Sequence, residues 1–505
     1  MNDGILRAAV DAVNELHREP LSLVFAIPDH PWVDAGDGAA VRIAMTVAAP
    51  GSLPGRLFTV SEERRGESEA EGRPVTLSGQ VGKIFSNLRI GADVAGAKPL
   101  RANNGLSARG AFLIGKGFLL TRHEAEYLSQ GTNAVAAGVV RPFLGGIDLT
   151  QKHRGRWVID FWGSSEREAM HQYPALFQHV LDTVKPVRDQ NDIVWRRENW
   201  WVFGDPGRSF RTATAGLDTA IVTSRTATHR IFQLWTTTDL PESEVVVVAS
   251  NNAEVLANLS SRQHHVFSLA SCGWMGVGND PRYNNSICFD PFPFPDTTEA
   301  QKTRLRALGE ELDAHRKAQQ AAHPKLTLTA MYNVLEKLRV GERIEGRDKE
   351  TYDQGLVGIL RDIHDRIDAA VADAYGWGAD LSDDDILHRL VDLNRARAAE
   401  EAQGLIRWLR PEYQNPVGTV TNARGQQAEL DAGTVPDTDD KAAWPKTLPE
   451  QIAAVRSALS DLGEATPAQV ARQFKRARAS SVQPLLESLS ALNQARSLDD
   501  GRFAI

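Results

Sequence analysis

Apolar positions in the first sixty residues fall into two patterns. Ile5, Ala8, Ala9, Ala12, Val13 and Leu16 recur at helical spacing and predict a short helix over residues 5–17. The run 21–27 (LSLVFAI) reads as a buried strand. A loop of Pro, Asp, Gly and Trp follows at 28–38, then a returning strand at 41–48 (VRIAMTVA) and a third at 56–60. So few strands with one helix cannot bury their apolar face alone. The rest of the chain or a second protein must complete this sheet. Residues 61–80 are polar and acidic and read as a surface excursion.

From about 101 to 295 the pattern shifts to β-branched runs such as 219–223 and 245–249, set among Gly and Pro turns. Seven of the eleven tryptophans lie here, between Trp157 and Trp274. This predicts an α+β domain of short strands. Residues 297–410 are rich in Ala, Leu, Glu, Lys and Arg at helical period, with helices expected at 298–320, 326–339, 349–375, 382–390 and 394–409. Ser382, ahead of Asp384 and Asp385, is the expected N-cap of the fourth. Residues 416–447 read as a linker. Beyond it come helices at 449–459, 466–474 (capped by Thr466, with Pro467 in its first turn) and 480–493. A hairpin of 495–498 with 502–505 closes the chain, which is the winged-helix order. The fold class is therefore α+β. Its divisions are a partial sheet with an insertion at 1–100, an α+β domain at 101–296, a helical domain at 297–415, the linker, and a winged-helix-like domain at 448–505.

Composition narrows the function. A length of 505 residues allows several domains, and 42% apolar with 24% charged residues is ordinary for a globular chain. The net charge of −8 excludes coating nucleic acid through bulk positive charge, so any such contact must come from local clusters. Two cysteines, Cys272 and Cys288, exclude a disulfide scaffold and a four-cysteine zinc site and fit a reducing cytosol. No apolar run reaches the ~18–20 residues that span a bilayer, and the acid-bearing start is not a signal peptide. A cytoplasmic protein with no membrane partner is expected.

No self-contained active site can be assembled. Gly276 and Gly278 lack the strand-to-helix setting of a nucleotide loop. No histidine pair sits at metal spacing, His264 and His265 being adjacent, and nucleophile motifs are missing. No catalytic residue, cofactor site or metal site is assigned. The most distinctive stretch is 276–295 (GVGNDPRYNNSICFDPFPFP). Its prolines stiffen the backbone, and Arg282, Tyr283, Asn284 and Asn285 form a run able to reach base edges or phosphates. The alternative is a proline-rich turn packing one domain on another.

Residues 151–230 hold 12 Lys/Arg against 9 Asp/Glu. Lys152, His153, Arg154 and Arg156 form one cluster, Arg196 and Arg197 a second, and Arg225, His229 and Arg230 a third. Each is either a phosphate contact or a solvated face. Arg472, Lys475, Arg476 and Arg478 flank the terminal domain's expected recognition helix, where protein docking and auxiliary DNA contact both fit.

Several stretches together resemble one family, the adenine-specific class I DNA methyltransferases of fused restriction–modification and phage-defence systems (type IIG/IIL-like). The loop 276–295 resembles the end of their target-recognition domain. Residues 141–148 (RPFLGGID), 157–160 (WVID), 185–191 (KPVRDQN) and 199–204 (NWWVFG) are similar to elements within it. Residues 375–377 (YGW), 381–383 (LSD) and 406–414 (IRWLRPEYQ) are similar to the helical part that follows, so the resemblance runs over about 20–415 in a fixed order. It implies a site-specific adenine-N6 methyltransferase acting on double-stranded DNA. The family's glycine-rich S-adenosylmethionine loop and its Asn/Asp-Pro-Pro-Tyr/Phe motif are both missing. Residues 290–294 (DPFPF) only mimic the second. The resemblance thus implies the DNA-reading part, with S-adenosylmethionine and catalysis on a partner subunit. The alternative is a non-catalytic DNA-binding scaffold or a remnant. It also places residues 21–47 at the end of the methyltransferase sheet, where Trp32 and His30 would contact an extruded base, or Trp32 would simply close the sheet edge.

Overall fold

Four strands near the N-terminus, β1 (Leu21–Pro31), β2 (Arg42–Pro50), β3 (Gly55–Glu63) and β4 (Val75–Gly82), form a sheet in the order β2-β1-β3-β4. β1 runs antiparallel to β2 and parallel to β3, and β3 and β4 form an antiparallel pair. The core beneath is small: Leu23, Ala26, Leu57, Ile84 and Leu88. The first three expected strands are present. The surface excursion expected at 61–80 is instead partly strand, because its two ends belong to β3 and β4. β4 lies at the sheet edge and is exposed at most positions, and its only apolar mark in the sequence is Val75, Leu77 and Val81 alternating with Thr76, Ser78 and Gln80.

The structure is a computed structural model that describes residues 20–31, 42–63, 74–275, 280–378 and 380–416. Of the C-terminal stretch it describes 442–445, 451, 454–455, 458–459, 464–471, 473–475, 481–486, 496–497 and 503–504. The helix expected at 5–17 lies outside these residues. The chain divides into two units, 1–424 and 425–505.

Within the first unit, the α+β part is built on two further sheets. One has the order β10-β9-β12-β5 and contains β5 (Ser107–Arg109), β9 (Thr219–Ser224), β10 (Phe232–Thr236) and β12 (Val245–Val248). The other has the order β11-β7-β8-β6, with β6 (Leu119–Leu120), β7 (Val140–Leu144), β8 (Trp157–Ile159) and β11 (Leu240–Pro241). β9 and β12 are the two β-branched runs. β12 is buried along its whole length and β9 at all but its first residue, so both read as β-branched runs without the polar alternation of a half-exposed strand. Phe118, Phe143, Phe161, Phe177, Trp200 and Phe203 fill the core between the sheets.

β10 is an edge strand, and its open backbone is satisfied by side chains of the helix Glu299–Ala322. Arg316 donates to the Phe232 carbonyl at 2.8 Å, Asp313 accepts from Leu234 N at 3.1 Å and Lys317 donates to the Leu234 carbonyl at 2.7 Å. A helix laid along an edge removes its capacity for stray pairing. Gly309 lets the same helix cross Ala253–Ser260 closely, since a Cβ there would meet the Ala253 carbonyl oxygen at 2.1 Å. Further along, Asn394 bonds both backbone groups of Lys98 and the Pro291 carbonyl, and Glu401 accepts from Arg101 N and Ala102 N. The helices thus brace the α+β part through side-chain-to-backbone bonds.

Helix boundaries depart from expectation twice. The segment 349–375 is two helices, Gly346–Gln354 and Val357–Ala374, broken where Leu356 takes a left-handed φ of 44° after Gly355. Conversely, 382–390 and the first part of 394–409 form one helix, Asp383–Ala402, and 403–410 leave it. Ser382 caps it as expected, its Oγ accepting from Asp385 N at 3.1 Å while Asp385 reaches back.

The second unit has a core of Val455, Leu459, Val470, Phe474, Val482, Leu486 and Phe503. Thr466 accepts from Gln469 N at 3.3 Å ahead of the helix Pro467–Ala471. Arg496–Ser497 pairs antiparallel with Phe503–Ala504, whose other side takes Glu464–Ala465.

Candidate nucleic-acid interface

Two segments of the α+β part converge at one rim. Arg225 follows β9, and Arg282 ends the short strand Asp280–Arg282, here β14, whose hairpin partner β13 is Gly273–Met275. The backbone ties the segments together: Arg225 N donates to the Glu244 carbonyl at 2.8 Å, and Tyr283 N donates to the Arg225 carbonyl at 2.7 Å. Both guanidinium groups then lie near one carboxylate oxygen, Glu244 Oε1, at 3.6 Å from Arg225 and 3.8 Å from Arg282. Asn284 Oδ1 accepts from Arg225 Nη2 at 3.2 Å. Burial, and next the neighbouring charge of Arg282, pull the Arg225 guanidinium below its ordinary pKa, against the pull of Glu244.

Two residues upstream of Glu244 the same edge carries Glu242, 3.3 Å from Arg156. Arg156 also approaches Asp148 at 3.5 Å and lies over the Phe143 ring at 4.9 Å. Arg154 clasps Asp148 through Nε at 2.9 Å and Nη2 at 3.0 Å. Burial alone would raise the Asp148 carboxyl, but Arg154 and the backbone N–H of Gly145 outweigh it and hold it below the usual range. Gly145 lets both guanidinium groups come close, because a Cβ there would meet Arg154 Nη2 at 2.3 Å and Arg156 Nη2 at 2.6 Å and push these side-chain ends aside. On the opposite flank Arg109, in register with Val246 of β12, pairs with Asp205 at 2.8 Å.

The rim therefore alternates Arg109, Arg154, Arg156, Arg225 and Arg282 with Asp148, Asp205, Glu242 and Glu244, one cation in excess. The Glu244 contacts are loose and Glu244 is half-exposed, so Arg225 and Arg282 can exchange that partner for a guanine edge or a phosphate. A free carboxylate can in turn accept from a cytosine amino group. Glu242, Glu244, Arg109 and Asp205 were not singled out in the sequence. The only mark there is a pair of acids directly ahead of the Val245–Val248 run.

Other expected contacts fall elsewhere. Tyr283 is a correction: it is fully buried, its hydroxyl pairs with His264 Nε2 at 3.1 Å and its ring packs on Phe232. Arg230 is a second. Its guanidinium is spent on Thr223, the Ser224 carbonyl and the Pro281 carbonyl and lies over the Tyr283 ring at 5.0 Å. Both residues build the core under the rim. Asn285 anchors the loop to β5 through the Ser107 carbonyl at 3.1 Å. Hence 280–295 combines both sequence readings, with Arg282 and Asn284 at the rim and Tyr283, Phe289 and Phe292 in the core. Lys152 and His153 are exposed next to Arg154, and His153 stacks on Trp235. Arg196 and Arg197 sit on the separate short helix Val194–Glu198, Arg197 donating to the Asn191 carbonyl at 2.5 Å. His229 bonds Asn333 of the helical part at 2.6 Å. His30 is half-buried, with Nδ1 2.7 Å from the Pro31 carbonyl. Trp32, Arg472, Arg476 and Arg478 lie outside the described residues, and of Lys475 only the backbone is described.

Comparison with known proteins bears on this region. Residues 98–296 match the family described as "MmeI, target recognition domain". No curated protein matches the chain. Among solved structures, the chain is similar to the Type IIL restriction-modification enzyme MmeI, solved in complex with DNA, at 15% identity and a TM-score of 0.57 over 78% of this chain. That match covers 48% of the MmeI chain, so this chain spans about half the length of the relative. The sequence resemblance to the target-recognition part of a type II restriction–modification enzyme is borne out, as is the mixed α+β fold. Among the described residues, no helix is long and apolar enough to cross a membrane.

Proposed function

We propose that this chain is the DNA-reading part of a site-specific adenine-N6 DNA methyltransferase of a restriction–modification or phage-defence system. One observation carries the reading: Arg225, Arg282 and Asn284 meet around Glu244, within residues that match a target recognition domain. Arginine presents a planar fork to the guanine O6 and N7 acceptors, and phosphate contacts from flanking cations set the register without reading sequence. Lys152 and Arg154 would supply the latter. In this reading methyl transfer is performed by an S-adenosylmethionine-binding catalytic half outside these 505 residues, with double-stranded DNA as the shared partner. Trp32 and His30 would lie near the extruded adenine.

Selection of bound duplexes from a randomised pool tests the reading. The protein should enrich one short motif, and Arg282→Ala should relax the preference at particular positions of it. A pool that stays random after selection overturns the DNA-reading role. Calorimetry with S-adenosylmethionine tests the division of labour, since measurable binding by this chain would contradict a cofactor site placed elsewhere.

A further inference from the structure

The rim continues past Arg109 to a residue pair that neither the sequence reading nor the proposed base-reading cluster uses. Asp205 holds Arg109 through Oδ2 at 2.8 Å and accepts from Gly207 N through Oδ1 at 3.1 Å. Arg208 comes next. Its guanidinium lies over the indole of Trp162, 5.1 Å from the ring centroid, and no acidic partner reaches it among the described residues. Of the other arginines of this neighbourhood, those at positions 109, 141, 154, 156, 211, 225 and 282 each have a carboxylate within 4 Å, and Arg230 is buried and bonded to Thr223 and backbone carbonyls. Trp162 is itself 37% exposed and Phe112 is 46% exposed. Phe112 is bonded to Asp205 through both backbone groups, Phe112 N donating at 2.8 Å and Asp205 N at 3.0 Å. Trp162 has two further contacts: Arg211, bound to Asp160, lies 5.9 Å from its ring centroid, and the Trp162 backbone N–H donates to the Asp160 carboxylate at 3.3 Å.

This geometry matters because an indole face holds a guanidinium in place while offering it no oxygen acceptor, so its N–H donors stay available. A fork held in that way, with no carboxylate to displace, suits a phosphate oxygen pair. A guanidinium also lies over a ring at Arg389 with Trp377 and at Arg56 with Phe58. What sets Arg208 apart is its place, joined through Asp205 to the rim that carries Arg109, Arg225 and Arg282.

We propose that Arg208, mounted on Trp162, is a sugar–phosphate contact for duplex DNA on the Asp205 side of the rim. The inference rests on the DNA-reading role proposed above. Arg208 takes the phosphate, while Trp162 orients it and packs against the adjoining deoxyribose together with Phe112. Such a contact positions the protein on the duplex and carries no sequence information.

The experiment is fluorescence anisotropy of the full chain with a labelled mixed-sequence duplex, titrated between about 50 and 200 mM salt. Arg208→Gln should weaken binding alike on every duplex and reduce the slope of log affinity against log salt by about one. Trp162→Leu, which leaves the charge but removes its mount, should weaken binding with little change in slope. An unchanged melting temperature shows that either variant still folds. Wild-type affinity and slope in Arg208→Gln overturn the contact while leaving the DNA-reading role intact. Failure of the wild-type protein to bind duplex even at the lowest salt overturns both.

Discussion

Asn284 Oδ1 accepts a hydrogen bond from Arg225 Nη2 at 3.2 Å, joining two segments 59 residues apart in the chain. The amide fixes one edge of the guanidinium and leaves the other toward Glu244. Asn284→Ala removes that constraint without removing charge. It should therefore cost about 1–3 kcal/mol of discrimination at the preferred site and leave affinity for unrelated duplexes nearly unchanged. Competition binding of the selected motif against single-base variants measures this. An equal loss on all duplexes would instead mark Arg225 as a phosphate contact.

Glu244 stands between two arginines, at 3.6 and 3.8 Å, and faces the surface on which a polyanion would lie. Its charge favours the free protein over the DNA complex. Glu244→Gln should raise affinity for non-specific duplex and steepen its salt dependence, because Arg225 and Arg282 then need not give up a carboxylate. The cost to stability should stay within about 1 kcal/mol, as for other exposed pairs. Anisotropy over a salt series and a melting curve check both halves. Weaker non-specific binding would show that Glu244 serves to hold the arginines in place.

Much of this was legible in the sequence, for reasons that differ by element. The strands Thr219–Ser224 and Val245–Val248 are nearly buried throughout, so their β-branched runs announce them. Ser382 signals its helix because its capping chemistry is local. The fate of Tyr283 and Arg230 was not legible. Both belong to polar runs whose look is that of a surface, yet they pair with His264 and with backbone carbonyls that are distant in sequence. Glu244 escaped notice for the converse reason. A single acid before a strand means nothing until the fold brings two arginines to it.

The Asp290 carboxyl is pushed up to about 7 by burial, and no hydrogen bond to its side chain occurs among the described residues. The folded value lies above the unfolded value of about 3.9, so the native state holds this proton more tightly. The stability it contributes is present below the unfolded pKa and is lost as pH rises through about 7. Asp290→Asn removes the ionisation while keeping the shape. The variant should gain stability relative to wild type as pH rises from 4 to 8, by an amount on the order of a few kcal/mol. Urea midpoints at several pH values give the difference directly. A constant difference across that range would mean the carboxyl is solvated in the native protein.

His264 works in the opposite direction. Its Nδ1–H donates to the Leu259 carbonyl at 3.0 Å, its Nε2 accepts from the Tyr283 hydroxyl at 3.1 Å, and Phe232 and Phe292 enclose the ring. Burial holds the imidazole down at about 3, far below its ordinary value. The unfolded chain therefore binds a proton below pH ~6.5 that the native protein refuses. Stability is complete above that pH and falls by about 1.4 kcal/mol per pH unit as the medium acidifies toward 3. His265 and His364 are held down by burial as well and add to the slope, whereas Asp290 and Asp368, both raised, oppose it. Comparison with a variant isolates the single residue. His264→Phe should be less stable at pH 7.5 by about 1–3 kcal/mol, since Tyr283 loses its partner, and its pH dependence between 6.5 and 4 should be shallower than wild type by about one proton. Parallel curves for the two proteins would show that the native structure opens to admit the proton.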